Sequence, residues 1–401
     1  MNDFFCPLPW NHMMFRSNGQ VQVCCETYKH KFNPGTTILE TANNPIMKKL
    51  RLELLDPNTK PSMCKRCYTK EQVLSRSTRT SSLANFNHWT VERARQVTND
   101  DGTVDDWHLE YLDIRWSNLC NYKCRFCGIE SSNLWLNETK MTGLRSESYL
   151  KNYNSKTGIA EYNMDWKDLK THLPYVRYVK LAGGEPTIMP GTYQLLEELI
   201  RIGNTNPVIT LMTNATTIKY GKYNLLELLK HFSKSVRIEL SMEGMGVRHE
   251  WARSGKKDWD IIEKNIEAFY NFTKETDNRK LNFHSGITWM NMYHLADFVL
   301  AYPNIKFVFN LVSEPSEMSM LHFDKIELQR CSDYYNELLQ QQHSMLVENN
   351  LMEIKSAIDN CITKTTQDYN LEKFKYIQTM LDKNRNQSFV KAYPEWRHLY
   401  E

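Results

Sequence analysis

The sequence has 401 residues, too many for one small domain, and this length favours two or three domains with a large buried core. Hydrophobic residues make up 41% and charged residues 24% of the chain, which is ordinary for a soluble globular protein. The formal net charge of +3 is too small to indicate a nucleic-acid-binding protein by itself.

Positive charge is concentrated in the first quarter of the chain. Residues 1–100 contain fourteen Lys or Arg and eight Asp or Glu, a surplus of 14 − 8 = +6, so the remainder carries 3 − 6 = −3. Such a surplus can face an anionic substrate or partner, offset the charge of a thiolate-bound cluster, or simply form a solvated surface.

The sequence shows no sign of membrane insertion or secretion. No apolar run approaches the roughly 18 residues needed to cross a membrane, and the first six residues lack the basic and apolar regions of a signal peptide. We therefore expect a cytoplasmic protein with no membrane partner. In that compartment the ten cysteines favour metal ligands or free thiols over disulfides. Eight of them precede residue 128, and this clustering supports metal binding.

Residues 1–100 predict a small, cysteine-rich α+β module. Asn18-Gly19 is typical of a hairpin turn, here between strands predicted at 13–16 and 20–24. The pattern then predicts a helix over residues 44–55 and another that begins near Cys67.

The middle of the chain alternates between two patterns. Short runs rich in β-forming residues cover 109–115, 176–182, 207–213, 235–241, 281–288 and 305–312. Helical patterns lie between most of these runs, at 192–202, 224–233, 259–273 and 292–302. Strands that alternate with helices predict a parallel sheet, which right-handed crossovers wind into a barrel.

The predicted fold class is therefore α/β: a partial (β/α)6 TIM-like barrel with a small N-terminal α+β cysteine-rich module and a helical C-terminal extension. The predicted boundaries are 1–100 for the module with a polar linker at 81–101, 101–320 for the barrel, and 321–401 for the extension. Chemistry in such barrels collects at the C-terminal ends of the strands, so functional motifs should directly follow strands.

Three cysteines follow the first barrel strand within eight residues: Cys120, Cys124 and Cys127. A short loop of this kind lets several thiolates converge on an iron–sulfur cluster. Structural zinc sites usually take four ligands, and no fourth Cys or His follows closely. A cluster with one open iron is thus favoured over zinc or unligated thiols.

The C-x3-C-x2-C spacing, with an aromatic residue at Phe126, resembles the defining loop of the radical S-adenosylmethionine (SAM) superfamily. The resemblance implies a [4Fe–4S] cluster on three catalytic cysteines, Cys120, Cys124 and Cys127, with Phe126 beside the adenine of SAM. It also implies that SAM is cleaved reductively to a 5′-deoxyadenosyl radical, which abstracts hydrogen from substrate. An external one-electron donor, such as a flavodoxin or ferredoxin, is then expected.

Two further segments follow predicted strands and resemble motifs of the same superfamily. Gly183-Gly184-Glu185-Pro186 would bind the methionyl amine of SAM, although such a segment alone is just as easily a turn. The segment from Ser241 to Arg253 resembles Ser-x-Asp-Gly…His-Asp-x-x-Arg, with Glu243 where Asp is usual. By this resemblance Ser241 and Arg253 contact the SAM carboxylate and Glu243 approaches the ribose; the alternative is a loop with ordinary surface charges.

The N-terminal module holds a second set of cysteines, which resembles the twitch module of some radical SAM enzymes. Its pattern is Cys-x12-Gly-x4-Cys followed by a C-x2-C pair, and the residues are Cys6, Gly19, Cys24, Cys64 and Cys67. The resemblance implies an auxiliary [4Fe–4S] cluster on the four cysteines; zinc is the alternative. Cys25 is an alternative ligand, but the spacing from Gly19 favours Cys24.

These observations favour a radical SAM enzyme that acts on a small molecule or a peptide, with the auxiliary cluster assisting an oxidation. A redox-neutral epimerase is the alternative within this class, and Cys331 is its candidate hydrogen donor. Otherwise Cys331 and Cys361 are predicted to be buried thiols. A non-catalytic zinc or iron–sulfur protein that contacts nucleic acid is the alternative from another class, and nucleic acid is not the expected partner.

Overall fold

The computed structural model describes residues 4–27, 30–74, 77–143, 146–254, 259–366 and 371–400. The chain forms two compact units. Unit 1 comprises Met1–Asn118, Ile159–Leu211 and Glu227–Val236, and unit 2 comprises Leu119–Gly158, Met212–Leu226 and Arg237–Glu401. The predicted boundaries at residues 100 and 320 describe functional segments rather than compactness and stay a prediction.

The strands are short in the first hundred residues and longer towards the C-terminus. In chain order they are β1 His12–Phe15, β2 Val21–Gln22, β3 Lys31–Phe32, β4 Tyr111–Ile114, β5 Tyr178–Leu181, β6 Val208–Thr213, β7 Lys219–Tyr220, β8 Tyr223–Asn224, β9 Ser235–Ser241, β10 Arg279–Ile287 and β11 Lys306–Leu311. Strands β4, β5, β6, β9, β10 and β11 confirm the six strands predicted from the sequence.

The helices connect these strands and fill the C-terminal region. They are α1 Leu8–Asn11, α2 Ile38–Ala42, α3 Pro45–Leu55, α4 Lys65–Leu74, α5 Thr78–Asn85, α6 Val91–Val97, α7 Leu136–Thr142, α8 Glu147–Leu150, α9 Trp166–His172, α10 Pro190–Arg201, α11 Leu225–Leu229, α12 Gly246–Arg253, α13 Trp259–Lys274, α14 His294–Ala301, α15 Lys325–Leu339, α16 Met345–Lys364, α17 Leu371–Arg385, α18 Phe389–Ala392 and α19 Arg397–Tyr400. The four predicted connecting helices correspond to α10, α11, α13 and α14.

The sheet of unit 1 is mostly parallel and has the strand order β6-β5-β4-β1-β2-β3. Strands β4, β5 and β6 run parallel, with Ile114 paired to Leu181 and Leu181 to Leu211. All three side chains are fully buried, so the face of the sheet that they share is covered. Strand β1 also pairs in parallel with β4, so the ladder continues into the predicted N-terminal module.

The predicted hairpin and helices of the first hundred residues are confirmed. Strands β1 and β2 are antiparallel, and Gly19 in their turn has a φ of +82°, which glycine adopts without strain. Helix α3 begins after the cap of Asn44, whose side chain accepts from the amide of Ile46. The stretch predicted to link the module to the barrel, 81–101, holds the end of α5 and all of α6, and its role as a linker stays a prediction. Thr90 caps α6, and its buried Ala94 faces the core.

The strands of unit 2 have the order β11-β10-β9, and β10 and β11 are parallel. Three buried aromatic rings, Phe283 on β10, Phe298 on α14 and Phe307 on β11, pack with centroids 5.0 to 5.2 Å apart. Each strand–helix–strand step is therefore fastened by its own core contacts.

The C-terminal region is helical, as predicted, and packs around Trp289. This fully buried ring lies 4.7 Å from Phe323, 4.8 Å from Phe374 and 5.5 Å from Trp396, measured between centroids. The extension is thus part of the core of unit 2. In the part of the chain that the structure describes, no helix is long and apolar enough to cross a membrane.

Candidate functional site

Residues 120–127, here called the cysteine loop, follow β4 and lie in unit 2. The loop turns tightly, because the amide of Cys127 donates to the carbonyl of Cys124 over 3.0 Å. The amide of Tyr122 lies 3.4 Å from the sulfur of Cys120, and the amide of Cys120 donates to Asn133. Cys124 is buried, while Cys120 and Cys127 are half-buried. The backbone therefore presents the three cysteines from one short, hydrogen-bonded turn.

The pKa values of the Cys124 and Cys127 thiols are shifted in opposite directions. A hydrogen bond from the Cys127 thiol, together with the nearby guanidinium of Arg253, lowers the pKa of Cys124. The same hydrogen bond and burial raise the pKa of Cys127. Thiolate is the metal-binding form of cysteine, so this arrangement favours a ligand anion at Cys124.

Arg253, at the end of α12, brings the two predicted segments of unit 2 together. Its Nε and Nη2 donate to the two carboxylate oxygens of Glu243 over 2.5 and 2.8 Å, and its Nη1 lies 3.6 Å from Sγ of Cys124. Its guanidinium carbon is 5.6 Å from the ring centroid of Phe126. Burial acts to lower the pKa of Arg253, but the opposing effect of Glu243 and Cys124 is larger, so the pKa is raised overall. The side chain is therefore a fixed cation.

Glu243 and the cysteine loop are each held by an asparagine. The Nδ2 group of Asn291 donates to the backbone carbonyl of Glu243 over 3.2 Å. The Nδ2 group of Asn214, just after β6, donates to Oδ1 of Asn121 in the loop over 2.8 Å. Thr213-Asn214-Ala215 carries only a weak sequence signal, yet it supplies this support. Ser241, at the end of β9, is half-buried, and its predicted role stays a prediction.

A cavity of about 350 Å³ lies beside the cysteine loop. Phe126 and Cys127 form one part of its wall, and Glu130, Lys373 and Gln378 are among its other lining residues. Pockets for small organic ligands begin at about this volume and combine apolar walls with a few polar groups. The cavity therefore suits a small molecule held against the loop.

Gly183-Gly184-Glu185 lies in unit 1 and follows β5. Gly183 has a φ of +124°, and a Cβ atom there would lie 3.1 Å from Cβ of Arg115 and the carbonyl of Ser117. Glycine is thus required by backbone packing as well as by conformation. The buried carboxylate of Glu185 accepts from the amide and the hydroxyl of Thr187 over 3.1 and 2.7 Å. Its predicted role in binding SAM stays a prediction.

The second set of cysteines lies in unit 1 and is concentrated around Cys6. Burial and the nearby Cys64 and Cys67 thiols raise the pKa of Cys6. Burial, Cys25 and Cys6 raise the pKa of Cys24. Cys6 therefore lies within electrostatic range of Cys24, Cys64 and Cys67, the four thiols predicted to act together.

Cys25 has different surroundings from Cys24. Burial raises the pKa of Cys25, and the charged groups that affect it most are Lys180 and Asp113. Its residue surface is also exposed, whereas Cys24 is buried. The choice of Cys24 over Cys25 stays a prediction.

The donor atoms suit an iron–sulfur group. Among the described residues, no three His, Cys, Asp or Glu side chains are grouped so that they could hold a metal ion. The sulfurs of Cys120, Cys124 and Cys127 are therefore not gathered into a ligand set in this structure, although the loop carries all three beside the buried cation of Arg253. Thiolate donors on a short loop are what such clusters require, and a nearby cation offsets their charge.

Residues 114–287 match the Radical SAM superfamily. This part of the chain is a radical SAM domain. It runs from the end of β4 to the end of β10 and contains the cysteine loop, Gly183-Gly184-Glu185 and the segment from Ser241 to Arg253. The N-terminal cysteines lie outside the matched residues.

Two solved structures are among those similar to this chain. "Native anSMEcpe with bound AdoMet" is 18% identical, with 58% of this chain and 63% of that chain covered and a TM-score of 0.39. "Structure of TYW1 with a lysine-pyruvate adduct bound" is 14% identical, with coverages of 56% and 70% and a TM-score of 0.30. The chain thus spans about three fifths of the length of anSMEcpe. None of the curated proteins compared with this sequence matches it.

Several residues around the radical SAM domain were not predicted from the sequence. Asn121, Lys123 and Arg125 lie between the cysteines, and their partners, which include Asp382, lie elsewhere in unit 2. No signal in the sequence pairs residues so far apart. Cys331 and Cys361 are fully buried in α15 and α16, which confirms the prediction of buried thiols.

Proposed function

We propose that this protein is a radical SAM enzyme whose [4Fe–4S] cluster is bound by Cys120, Cys124 and Cys127. When bound, the cluster supplies one electron that cleaves SAM to methionine and a 5′-deoxyadenosyl radical, which abstracts hydrogen from substrate. The observation that carries the proposal is the position of Arg253. It joins the predicted Glu243 to the Cys124 sulfur within the residues that match the superfamily.

The residues of unit 2 have distinct roles in this proposal. The cysteine loop holds the cluster and leaves one iron for SAM. Arg253 neutralises thiolate charge and offers a guanidinium to the SAM carboxylate, while Glu243 fixes the orientation of that guanidinium through two hydrogen bonds. Phe126 and the cavity beside it exclude water from the bound ligand. Ser241 is proposed to contact the SAM carboxylate. Gly183, Gly184 and Glu185, which lie in unit 1, are separately proposed to bind SAM.

The proposal includes an auxiliary [4Fe–4S] cluster on Cys6, Cys24, Cys64 and Cys67. The electrostatic coupling of Cys6 with the other three thiols supports this ligand set. Such a cluster would accept an electron from the substrate radical and so assist an oxidation. The primary electron would come from a flavodoxin or ferredoxin, and the substrate would be a small molecule or a peptide.

Iron counting and SAM cleavage test both parts of the proposal. The protein is purified without oxygen and reconstituted with iron and sulfide, and iron per chain is measured. Two variants are compared with the wild type: Cys120, Cys124 and Cys127 all changed to Ala, and Cys6, Cys24, Cys64 and Cys67 all changed to Ala. Each protein then receives SAM and dithionite, and 5′-deoxyadenosine is measured.

We expect about eight irons in the wild type and about four in each variant. SAM cleavage is expected in the wild type and absent when the cysteine loop is changed. About four irons in the wild type, lost completely in the loop variant, would remove the auxiliary cluster and keep the enzyme. An unchanged iron count in the loop variant, with no SAM cleavage in the wild type, would overturn the proposed function.

A further inference from the structure

Arg125 lies between two of the proposed cluster ligands and is fully buried. Its Nη1 donates to Gln378 over 2.7 Å, and its Nη2 donates to Asp382 and, over 2.9 Å, to Gln387. Its guanidinium carbon lies 3.8 Å from the ring centroid of Trp251. An arginine guanidinium stays charged at neutral pH. A buried cation needs this full set of partners, because desolvating a charge costs several kcal/mol.

Lys123, two residues earlier, is joined to the same C-terminal region through Glu138. Its Nζ lies 2.8 Å from Oε1 of Glu138, a carboxylate that is only 2% exposed. The guanidinium of Arg385 forms a bidentate hydrogen-bonded pair with the same carboxylate. Nδ2 of Asn384 also donates to it, over 2.9 Å. Two basic residues of the cysteine loop are thus tied to the end of α17 and the residues that follow.

The same C-terminal residues also hold α12, which carries Arg253. Nε1 of Trp251 donates to Asp382 over 2.9 Å, and Nη1 of Arg385 donates to Oγ of Ser254 over 2.6 Å. Nε2 of Gln387 donates to the carbonyl of Glu250 over 2.9 Å. The same C-terminal segment therefore holds both the cysteine loop and α12 through hydrogen bonds.

We infer that residues 378–389 form a C-terminal clamp that sets the position of the cysteine loop relative to α12. The atoms whose spacing it fixes are Sγ of Cys124 and the guanidinium of Arg253, 3.6 Å apart. Asp382 is the centre of the clamp, because Arg125, Trp251 and the amide of Phe389 all donate to its carboxylate. Within the clamp, Gln378 also lines the cavity beside the loop, and the other residues are positioning residues for the cluster. This inference rests on the proposed function of the loop.

Three variants test the clamp in the full-length, reconstituted protein. Asp382→Asn removes the charge at its centre, and Lys123→Met removes the link to Glu138 from a side chain that is 27% exposed. Asp359→Asn is the matched control, because Asp359 is a C-terminal carboxylate that bonds Ser332 and Lys355 and does not contact the loop. The measurements are the rate of iron release to a chelator, the electron paramagnetic resonance (EPR) spectrum of the reduced cluster with and without SAM, and the melting temperature of the iron-free protein.

We expect Asp382→Asn and Lys123→Met to release iron about 10- to 100-fold faster than the wild type, the usual effect of losing a partner that orients metal ligands. Their EPR response to SAM should change, while Asp359→Asn behaves as the wild type. Unchanged release and an unchanged EPR response in both variants would overturn the clamp, whatever happens to melting. If Asp382→Asn does not fold, Lys123→Met decides. A wild type that takes up no cluster would instead overturn the proposed function, and the clamp with it.

Discussion

At the scale of single residues, His249 is a buried polar group. It is 1% exposed, and among the described residues neither ring nitrogen has a hydrogen-bond partner. The ring packs against Tyr122 and Trp259 with centroids 6.1 and 5.3 Å away. Burial and the charge of Arg253 lower the pKa of His249 to about 3. Its surroundings are those of an aromatic core residue.

We predict that His249→Phe leaves the free energy of unfolding at pH 7 within about 1 kcal/mol of the wild type or raises it, because no hydrogen bond is lost. Below pH 6.5 the unfolded chain takes up a proton on His249 that the folded protein does not. The wild type therefore loses stability from this residue as the pH falls from 6.5 towards 3, by about 2 kcal/mol between pH 6.5 and 5.

Urea unfolding of the iron-free proteins at several pH values checks this prediction. The variant should lose less stability than the wild type between pH 6.5 and 5. If the variant is destabilised by more than about 2 kcal/mol at pH 7, the ring nitrogens have partners and the prediction fails.

At the scale of elements, Arg51 of α3 forms hydrogen bonds with several segments of unit 1. It is fully buried and donates to the carbonyls of Pro9, Ala42 and Gly102 over 3.0, 2.7 and 3.1 Å. It also donates to Oδ1 of Asn43 over 3.0 Å. One guanidinium thus joins α3 to α1, to the end of α2 and to the turn at Gly102. Burial lowers the pKa of Arg51 to about 9.

We predict that Arg51→Met lowers the free energy of unfolding by about 3 kcal/mol or more, because several buried carbonyls lose a charged donor at once. The control is Arg201→Met on α10, where the arginine is 67% exposed and pairs with Glu198. That change should cost much less than the loss of Arg51, because an exposed ion pair contributes little to stability. Chemical denaturation of both variants makes the comparison, and equal losses would show that burial of Arg51 does not matter.

The elements that the sequence predicted correctly are those encoded locally. The turn at Asn18-Gly19 and the alternating strands and helices depend on residues a few positions apart. Helix α6 was missed because its stretch is polar, and its start depends on a single cap at Thr90. The partners of Arg125 could not be predicted, because a buried arginine and an exposed one look the same in a sequence until the fold brings Asp382 to it.

At the scale of the whole molecule, part of the basic surplus of the first hundred residues is used inside unit 1. Arg51 is buried, Arg79 pairs with Glu71, and Lys70 lies 2.7 Å from Glu26. Arg79 also contributes to the electrostatic environment of Cys6. The surplus therefore serves internal pairing and the cysteine set as well as the surface.

We predict that loading with iron and sulfide raises the melting temperature of the protein, because a cluster binds the folded chain and not the unfolded one. Calorimetry of loaded and iron-free wild type measures the shift. The variant with Cys120, Cys124 and Cys127 changed to Ala should show a smaller shift, since one of the two proposed clusters is missing. An equal shift in this variant would mean that the cysteine loop contributes no cluster-dependent stability.

The clamp also determines when the site can be completed during synthesis. Asp382 follows Arg125 by 257 residues, and Arg385 follows Glu138 by 247. A ribosome that adds roughly 5 to 20 residues per second needs tens of seconds to make the intervening chain. Throughout that time Arg125 lacks Asp382, and Glu138, the partner of Lys123, lacks Arg385. The cysteines emerge early, but the contacts of the clamp that hold their loop can form only after α17 has been made.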